Sequence, residues 1–298
     1  MSDVTVAERA GDRLSGSATG SEDVVLVLPN AVAVLDGATS LRPGARTGGW
    51  YAARLAAALE PRLARPEADL AALLAESIAA VAAEFDLHPG SSPSSTASLL
   101  RWDDEQVEAL VLADSPIVLD AVGGPVAVVD EQLDALRAGA PRAGAGGYRD
   151  RLRSGGGFGA GHRAALNSAM DRTSRWRNVE GGFWVAEAVP EAAEHAVRAR
   201  VPRAEVTAAL VMTDGVSCGV RDYGIYPDFP AMLAAAVRDG PQAVLDEVRA
   251  AEESDPDGVR WPRSKRHDDQ AMALVRLAER PPPGGTSGSG LGKKDLCT

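Results

Sequence analysis

The chain has 298 residues, 45% of them hydrophobic, which is enough to bury one large core or two small ones, and we favour a single domain. Its formal net charge of -11 excludes a general nucleic-acid or anionic-membrane surface, because such surfaces need clustered lysine and arginine. No apolar run reaches the roughly 18 to 20 residues that cross a bilayer, and no signal-peptide pattern opens the chain, so a cytoplasmic protein is expected. Two cysteines, Cys218 and Cys297, are too few for a thiolate cage, so oxygen atoms would have to hold any metal ion.

The first half of the sequence predicts a hairpin, a pair of helices and several short strands. Two apolar runs between 24 and 35 flank a Pro-Asn pair, which is typical of buried strands joined by a tight turn. The Ala- and Leu-rich stretch 48–85 has a helical period, and Pro61 and Pro66 are expected to break it into two helices. Four short apolar runs between 96 and 130 then predict an antiparallel meander.

The second half begins with a basic segment. Residues 142–177 carry eight arginines and two aspartates, which predicts a flexible loop, either a solvated surface or a mobile flap that brings guanidinium groups to an anionic ligand. Within it, His162 is expected at the surface. A strand should then run into Asp214, two helices should follow between 227 and 254, and a last strand should follow Asp268.

Short acidic groups stand at the ends of several predicted strands. An Asp-Gly pair such as Asp36-Gly37 is by itself an ordinary turn signal. If the strands lie side by side, however, Asp36, Asp214 and Asp268 can converge on one rim. Unpaired carboxylates repel one another unless a cation neutralises them, and Mg²⁺ or Mn²⁺ prefers such oxygen ligands. Two ions about 3.5 to 4 Å apart would activate a water molecule and bind a phosphoryl oxygen.

The order of these motifs resembles that of the metal-dependent protein phosphatases, the serine/threonine phosphatases of type 2C. The resemblance extends from about Ser21 to Leu277. SED is similar to the Asn-Glu-Asp opening of the family, VLDGATS to its strand-ending Asp-Gly, and VLADSPIVL to its Gly-Asp-Ser-Arg hairpin. LVMTDGVS is similar to its Ser-Asp-Gly motif, and HDDQAMALVRL to the acidic pair before its last strand.

The resemblance implies an α+β fold, a four-layer αββα sandwich with two central antiparallel sheets, over residues 1–280. The Pro-, Gly- and Ser-rich composition of residues 281–298 predicts a disordered tail. The resemblance also implies a phosphomonoesterase, acting on phosphoserine or phosphothreonine through a hydroxide that bridges two Mn²⁺ or Mg²⁺ ions. The implied metal ligands are Asp36, Gly37 through its carbonyl, Asp214 and Asp268, with Asp114 at a third ion. Glu22, Asp23 and Asp269 would lie behind these ligands, Asp23 holding metal-bound water.

The sequence departs from the family in the residues that capture phosphate. Pro116 replaces the arginine of Gly-Asp-Ser-Arg, and no arginine stands just before Ser21, where the family often binds the substrate phosphate. Each available replacement, taken alone, is more simply a solvated charge. The candidates are Arg42, Arg46, Arg175, Arg177, Lys265 and Arg266.

Two other functions remain open from the residues alone. The same rim could bind a phosphoprotein without catalysis, as a regulatory module, which the missing arginines favour and the retained aspartates disfavour. It could also hydrolyse a small phosphate ester or a nucleotide. The expected partner is therefore a phosphorylated protein or a small phosphate ester, and neither a nucleic acid nor a membrane.

Overall fold

The computed structural model describes residues 2–12, 20–39, 46–139 and 147–277. These ranges hold ten strands and eight α-helices. The strands are β1 (Asp3–Arg9), β2 (Asp23–Leu28), β3 (Ala31–Asp36), β4 (Ala97–Trp102), β5 (Gln106–Leu112), β6 (Ile117–Ala121), β7 (Val126–Val128), β8 (Val197–Pro202), β9 (Val206–Met212) and β10 (Gln270–Arg276). The helices are α1 (Gly48–Leu63), α2 (Leu70–Phe85), α3 (Gln132–Gly139), α4 (Tyr148–Arg153), α5 (Ala160–Ser174), α6 (Asp214–Arg221), α7 (Phe229–Asp239) and α8 (Pro241–Ser254).

The strands form two antiparallel sheets of five strands each. Sheet I has the order β2-β3-β4-β5-β8, and sheet II has the order β1-β10-β9-β6-β7. The predicted α+β class and the two central antiparallel sheets are confirmed.

The alternation of side chains along β3 shows how the layers stack. Val32 and Val34 point into a core shared with sheet II, where they meet residues such as Val211 of β9. The intervening residues, among them Ala33 and Leu35, point the other way, into a core with α1 and α2. Because both faces of the strand are buried, its sequence is a continuous apolar run.

Helices cover the outer face of each sheet. On sheet I, α1 begins at an N-cap, Thr47, whose side chain accepts a hydrogen bond from the Trp50 N–H at 3.1 Å. On sheet II, the apolar faces of α7 and α8 pack on β9 and β10 through residues such as Met232 and Leu245. The result is the four-layer αββα sandwich. Of the helices described, none is both long and apolar enough to cross a membrane.

Two predictions about individual elements are wrong. The two predicted helices are present and Pro66 lies in the break between them at 64–69, but Pro61 does not end a helix, because it lies in the last turn of α1, which continues to Leu63. The predicted meander is split, since β4 and β5 pair in sheet I, whereas β6 and β7 pair in sheet II. A sharp turn at Ala113, with φ of 71°, separates β5 from the crossing to the other sheet.

The basic segment is also more ordered than predicted. Its described part folds into α4 and α5, and residues 140–146 lie outside the described ranges. His162 is fully buried rather than at the surface, with its Nε2 atom 2.8 Å from the Ser264 carbonyl oxygen. The edge strands β1 and β8 were not predicted. The tail 281–298 lies outside the described residues.

Candidate active site

The pairing of the strands brings the predicted aspartates to one rim of the sandwich. In sheet I, Asp36 at the end of β3 is the register partner of Asp23 at the start of β2. In sheet II, the end of β9 pairs with the start of β10, which places Asp214 beside Asp268. The two sheets face each other, so the acidic ends of both open on the same side.

A pocket of about 650 Å³ opens at this rim. Four carboxylates contribute to its lining: Asp36, Asp114, Asp214 and Asp268. The lining also includes apolar side chains, among them Leu166, Met170, Phe183 and Val185. The structure therefore brings together the three predicted catalytic aspartates and the predicted ligand of a third ion.

Asp23, Asp36 and Asp214 lie in an environment that disfavours their charge. Burial raises the pKa of each carboxyl well above its usual value, and the neighbouring carboxylates raise it further. Asp36 and Asp214 form a hydrogen bond with each other, which lowers the pKa of Asp36 and raises that of Asp214. The pKa of both carboxyls is raised, so the pair favours binding a proton when no cation is present. Asp23 is buried and Asp36 and Asp214 are half-buried, and a cation would relieve the repulsion among these closely spaced acids.

Hydroxyl groups hold two of these acidic residues in place. The Asp36 N–H donates to Thr96 Oγ1 at 3.0 Å, and Thr96 Oγ1 is 2.8 Å from Ser115 Oγ. Thr213, the N-cap of α6, donates its hydroxyl to Asp23 Oδ2 at 3.0 Å. No role was assigned to these hydroxyl residues from the sequence, although each belongs to a motif that resembles the family: Thr96 precedes β4 in SSPSSTASLL, which is similar to the Gly-Ser-Thr strand entry, Ser115 follows Asp114, and Thr213 precedes Asp214.

Asp268 and Asp269 play different parts. Asp268 lines the pocket, and its Oδ1 lies 2.7 Å from Lys265 Nζ. Asp269 is buried, and its Oδ1 accepts from the Gly11 N–H at 2.8 Å while its Oδ2 accepts from the Glu22 N–H at 3.4 Å. Asp269 therefore joins the segment between β1 and β2 to the start of β10, behind the pocket.

Glu22 and Gly37 also lie behind the pocket wall. Glu22 is buried, and its Oε2 accepts from the Thr39 hydroxyl at 3.3 Å. Gly37 has no room for a side chain, because a Cβ there would lie 2.4 Å from backbone atoms of Gly48 and Gly49 at the start of α1. This close approach explains the glycine after Asp36. The role of the Gly37 carbonyl as a metal ligand stays a prediction.

The predicted phosphate-binding residues are dispersed. Arg46 and Lys265 line the pocket, whereas Arg175 is exposed and is not part of the lining. Arg42 lies outside the described residues. Arg177 lines the pocket, with its Nη1 donating to Ser94 Oγ at 3.1 Å.

Arg177 is the best-placed guanidinium of the basic segment. Its Nη2 forms an ion pair with Oε1 of the buried Glu187 at 2.7 Å. Its Nε is buried and has no hydrogen-bond partner within the described structure. A second arginine of the lining, Arg137, is half-exposed and lies 3.9 Å from Asp114. Arg137 was missed in the sequence because it stands in no motif.

The donor atoms of the pocket are of the type that a hard metal ion prefers, but their present positions do not form a metal site. Among the described residues, no group of three or more acidic, histidine or cysteine side chains is arranged to hold a metal ion. Asp36 and Asp214 are hydrogen-bonded to each other, and Asp268 forms an ion pair with Lys265. All the available donors are carboxylate oxygens, which suit Mg²⁺ or Mn²⁺.

Comparisons with known proteins agree on the fold. No family model matches the sequence, and no curated protein matches it either. Several solved structures are similar over nearly the whole chain. PppA, described as a key regulatory component of the type VI secretion system in Pseudomonas aeruginosa, is 18% identical with a TM-score of 0.52, over 93% of this chain and 98% of PppA.

Two further similar structures are serine/threonine phosphatases. Stp1 of Staphylococcus aureus is 11% identical with a TM-score of 0.54, over 93% of this chain and 96% of Stp1. The catalytic domain of PstP, solved with two manganese ions, is 14% identical with a TM-score of 0.50, over 92% of this chain and 97% of that domain. This chain therefore has the fold of the serine/threonine phosphatases of type 2C.

Proposed function

We propose that this chain is a metal-dependent phosphatase that hydrolyses phosphoserine or phosphothreonine in proteins. The observation that carries the proposal is the convergence of Asp36, Asp114, Asp214 and Asp268, from four separate strand ends, on one pocket. These carboxylates are half-buried, and removing several like charges from water is costly, so their concentration at an open pocket is typical of a functional site. The fold of the solved phosphatases supports the same assignment.

The acidic residues of the pocket would have separate roles in binding the metal ion and its water. Asp36 and Asp214 would hold Mn²⁺ or Mg²⁺, with Asp268 and Asp114 available beside them as further carboxylate ligands. Asp23, fixed by the Thr213 hydroxyl, would hold metal-bound water. Bound ions would lower the pKa of a water molecule and neutralise charge on the phosphoryl group.

The Asp36–Asp214 pair has to give up its proton before it can bind a metal ion. The raised pKa of both carboxyls favours a proton on the pair in the metal-free protein, which offsets one of the two adjacent negative charges. Metal ligands are deprotonated carboxylates, so binding and proton release are coupled. A divalent ion that binds this pair would therefore replace the proton and neutralise both carboxylates.

Arg177 is the proposed phosphate-binding residue. Glu187 and Ser94 hold two of its nitrogen atoms, which fixes the guanidinium at the wall of the pocket. A fixed, planar guanidinium binds two phosphate oxygens at little entropic cost. It would replace the arginine that the sequence lacks before Ser21.

The first test is phosphate release from a phosphothreonine peptide and from p-nitrophenyl phosphate, with and without Mn²⁺. Wild type is expected to turn over both substrates only with Mn²⁺, and Asp214→Asn is expected to lose the Mn²⁺-dependent rate. Release from small esters or nucleotides but not from peptides would point to a small-molecule hydrolase instead. Equal rates in wild type and Asp214→Asn would contradict the assignment.

One observation favours a second candidate, a binding module without catalysis. Lys265 already neutralises part of the acidic rim through Asp268, so the rim is less dependent on metal ions than a set of bare carboxylates. In that case the chain would bind a phosphopeptide with a dissociation constant unaffected by EDTA and would release no phosphate. Fluorescence anisotropy of a labelled phosphopeptide, measured beside the phosphate assay, separates the two functions.

A further inference from the structure

Lys265 is a buried cation in the acidic rim. Its side chain is 6% exposed, and its Nζ lies 2.7 Å from Asp268 Oδ1 and 3.6 Å from Asp269 Oδ2. It also lines the pocket together with Asp36 and Asp214. The ammonium group therefore occupies the side of the pocket formed by the start of β10.

The choice of lysine here is unusual for this chain. The sequence has 31 lysines and arginines, and three of these are lysines, at 265, 293 and 294, which leaves 28 arginines. Lysine carries a compact point charge with three rotatable donors, whereas the arginine guanidinium is a wide planar fork. A compact cation is the better substitute for a metal ion among carboxylates.

The Oδ1 atom of Asp268 is fully engaged in hydrogen bonds. Asp268 Oδ1 accepts from Lys265 Nζ and also from the Asp269 N–H at 2.9 Å. A carboxylate oxygen offers two lone pairs, so both are occupied. The Asp268 backbone carbonyl is also engaged, by Arg249 Nη2 at 2.9 Å. Only Oδ2 of Asp268 is left for a metal ion.

The segment that carries Lys265 is held on both sides. Arg263 is buried and forms an ion pair with Asp255 at 3.1 Å. The Ser264 carbonyl oxygen lies 2.8 Å from Nε2 of the buried His162. These contacts position the ammonium group before any ligand arrives.

We propose that the Lys265 ammonium is a built-in cation that takes the place of one divalent ion, so that the site binds a single Mn²⁺ through Asp36 and Asp214. This inference rests on the proposed metal-dependent function. It separates this chain from the similar PstP domain, which was solved with two manganese ions. An ion on the Asp268 side would be repelled by the ammonium and would find only half of the carboxylate free.

The test counts the ions bound by the full chain. Mn²⁺ is titrated calorimetrically into metal-free wild type, Lys265→Met and Lys265→Arg, and bound manganese is measured by elemental analysis after dialysis. Methionine has a similar length and no charge. Arg163→Met is the control, because it makes the same charge change at an exposed position of α5 outside the pocket lining.

We expect wild type, Lys265→Arg and Arg163→Met to bind one ion and Lys265→Met to bind two, with the second bound at least roughly tenfold more tightly than any second ion of wild type. We also expect Lys265→Met to have a lower Tm than wild type in EDTA and a larger rise in Tm with Mn²⁺. Two ions bound by wild type would overturn the inference. Because this count is made on wild type, it does not depend on whether the variants fold.

The outcomes distinguish this inference from the proposed function. If wild type and Lys265→Met both bind two ions and wild type is an Mn²⁺-dependent phosphatase, the inference fails and the function stands. One ion in both proteins likewise overturns the role of Lys265. If neither protein binds Mn²⁺, the metal-dependent function fails and the inference fails with it.

Discussion

Asp214 illustrates a residue whose charge costs stability in the metal-free protein. Its half-buried carboxyl lies beside Asp36 and Asp268, and loss of solvent followed by the charges of these two neighbours raises its pKa. The Asp214→Asn variant removes one of these charges without changing the size of the side chain. We expect its Tm in EDTA to rise by about 2 °C, which corresponds to roughly 1 kcal/mol. Differential scanning calorimetry measures this change.

The same substitution should abolish function, because asparagine cannot supply an anionic ligand. We expect the Mn²⁺-dependent rate of phosphate release to fall at least about 100-fold. Asp222→Asn is the matched control, since Asp222 is the exposed C-cap of the same helix, α6. A lower Tm for Asp214→Asn in EDTA would contradict a functional origin of the buried charge and would indicate a structural role.

Arg177 and Arg175 differ by two positions in sequence but differ greatly in environment. Arg177 lines the pocket and pairs with Glu187, whereas Arg175 is exposed. Arg177→Lys keeps the charge next to Glu187 and loses the planar fork. We expect it to raise KM for a phosphopeptide about tenfold, with kcat changed less than about threefold. Steady-state kinetics with Arg175→Lys as the control tests this, and equal KM values for the two variants would refute it.

At the scale of elements, the junction of β9, α6 and β10 positions the acids of sheet II. A Cβ on Gly215 would lie 1.9 Å from the Asp269 carbonyl oxygen, so the first turn of α6 packs directly against the start of β10. We expect Gly215→Ala to reduce the free energy of unfolding by about 1 to 3 kcal/mol, because the two elements have to separate. Urea denaturation measures the loss.

A suitable control for that junction is Gly123→Ala. Gly123 lies in the turn between β6 and β7, and a Cβ there would meet no atom within 4 Å. We expect its free energy of unfolding to remain within about 0.5 kcal/mol of wild type. If both alanine variants are equally stable, the close packing of α6 on β10 does not constrain the site.

At the scale of the whole molecule, the acidic rim couples stability to pH. Burial and mutual repulsion raise the pKa of Asp23, Asp36 and Asp214 above 3.8 in the folded protein. The folded state therefore binds more protons than the unfolded chain as pH rises above that value. Stability contributed by these groups is lost as pH rises through the folded pKa values.

We therefore expect Mn²⁺ to raise the Tm more at pH 8 than at pH 5, because at lower pH protons already neutralise the carboxylates that the ion would bind. Thermal unfolding with EDTA and with excess Mn²⁺ at both pH values tests this. In Asp214→Asn, the Mn²⁺-induced rise in Tm should differ less between pH 5 and pH 8. A rise in Tm that is independent of pH would place the ion elsewhere on the chain.

Much of the fold, and the approach of the candidate site's aspartates to one another, could be predicted from the sequence. In an αββα sandwich both faces of the central strands are buried, so strands such as β3 and β9 appear as continuous apolar runs. The acids that end or precede these runs, Asp36, Asp214 and Asp268, form short motifs whose order is visible in the chain. Antiparallel pairing then brings the strand ends together, as the structure shows.

Only the tertiary structure decided the rest, because it depends on long-range pairing and on the direction of side chains. The polar, largely exposed pattern of β8 gives little strand signal, and nothing local to β6 tells which sheet it joins. The burial of His162 and Lys265 depends on the packing of α5 and the segment before β10, which are far apart in sequence. The apolar pattern and the acidic motifs are local properties of the sequence. The position of Lys265 beside Asp268, in contrast, depends on contacts between segments that are distant in the chain.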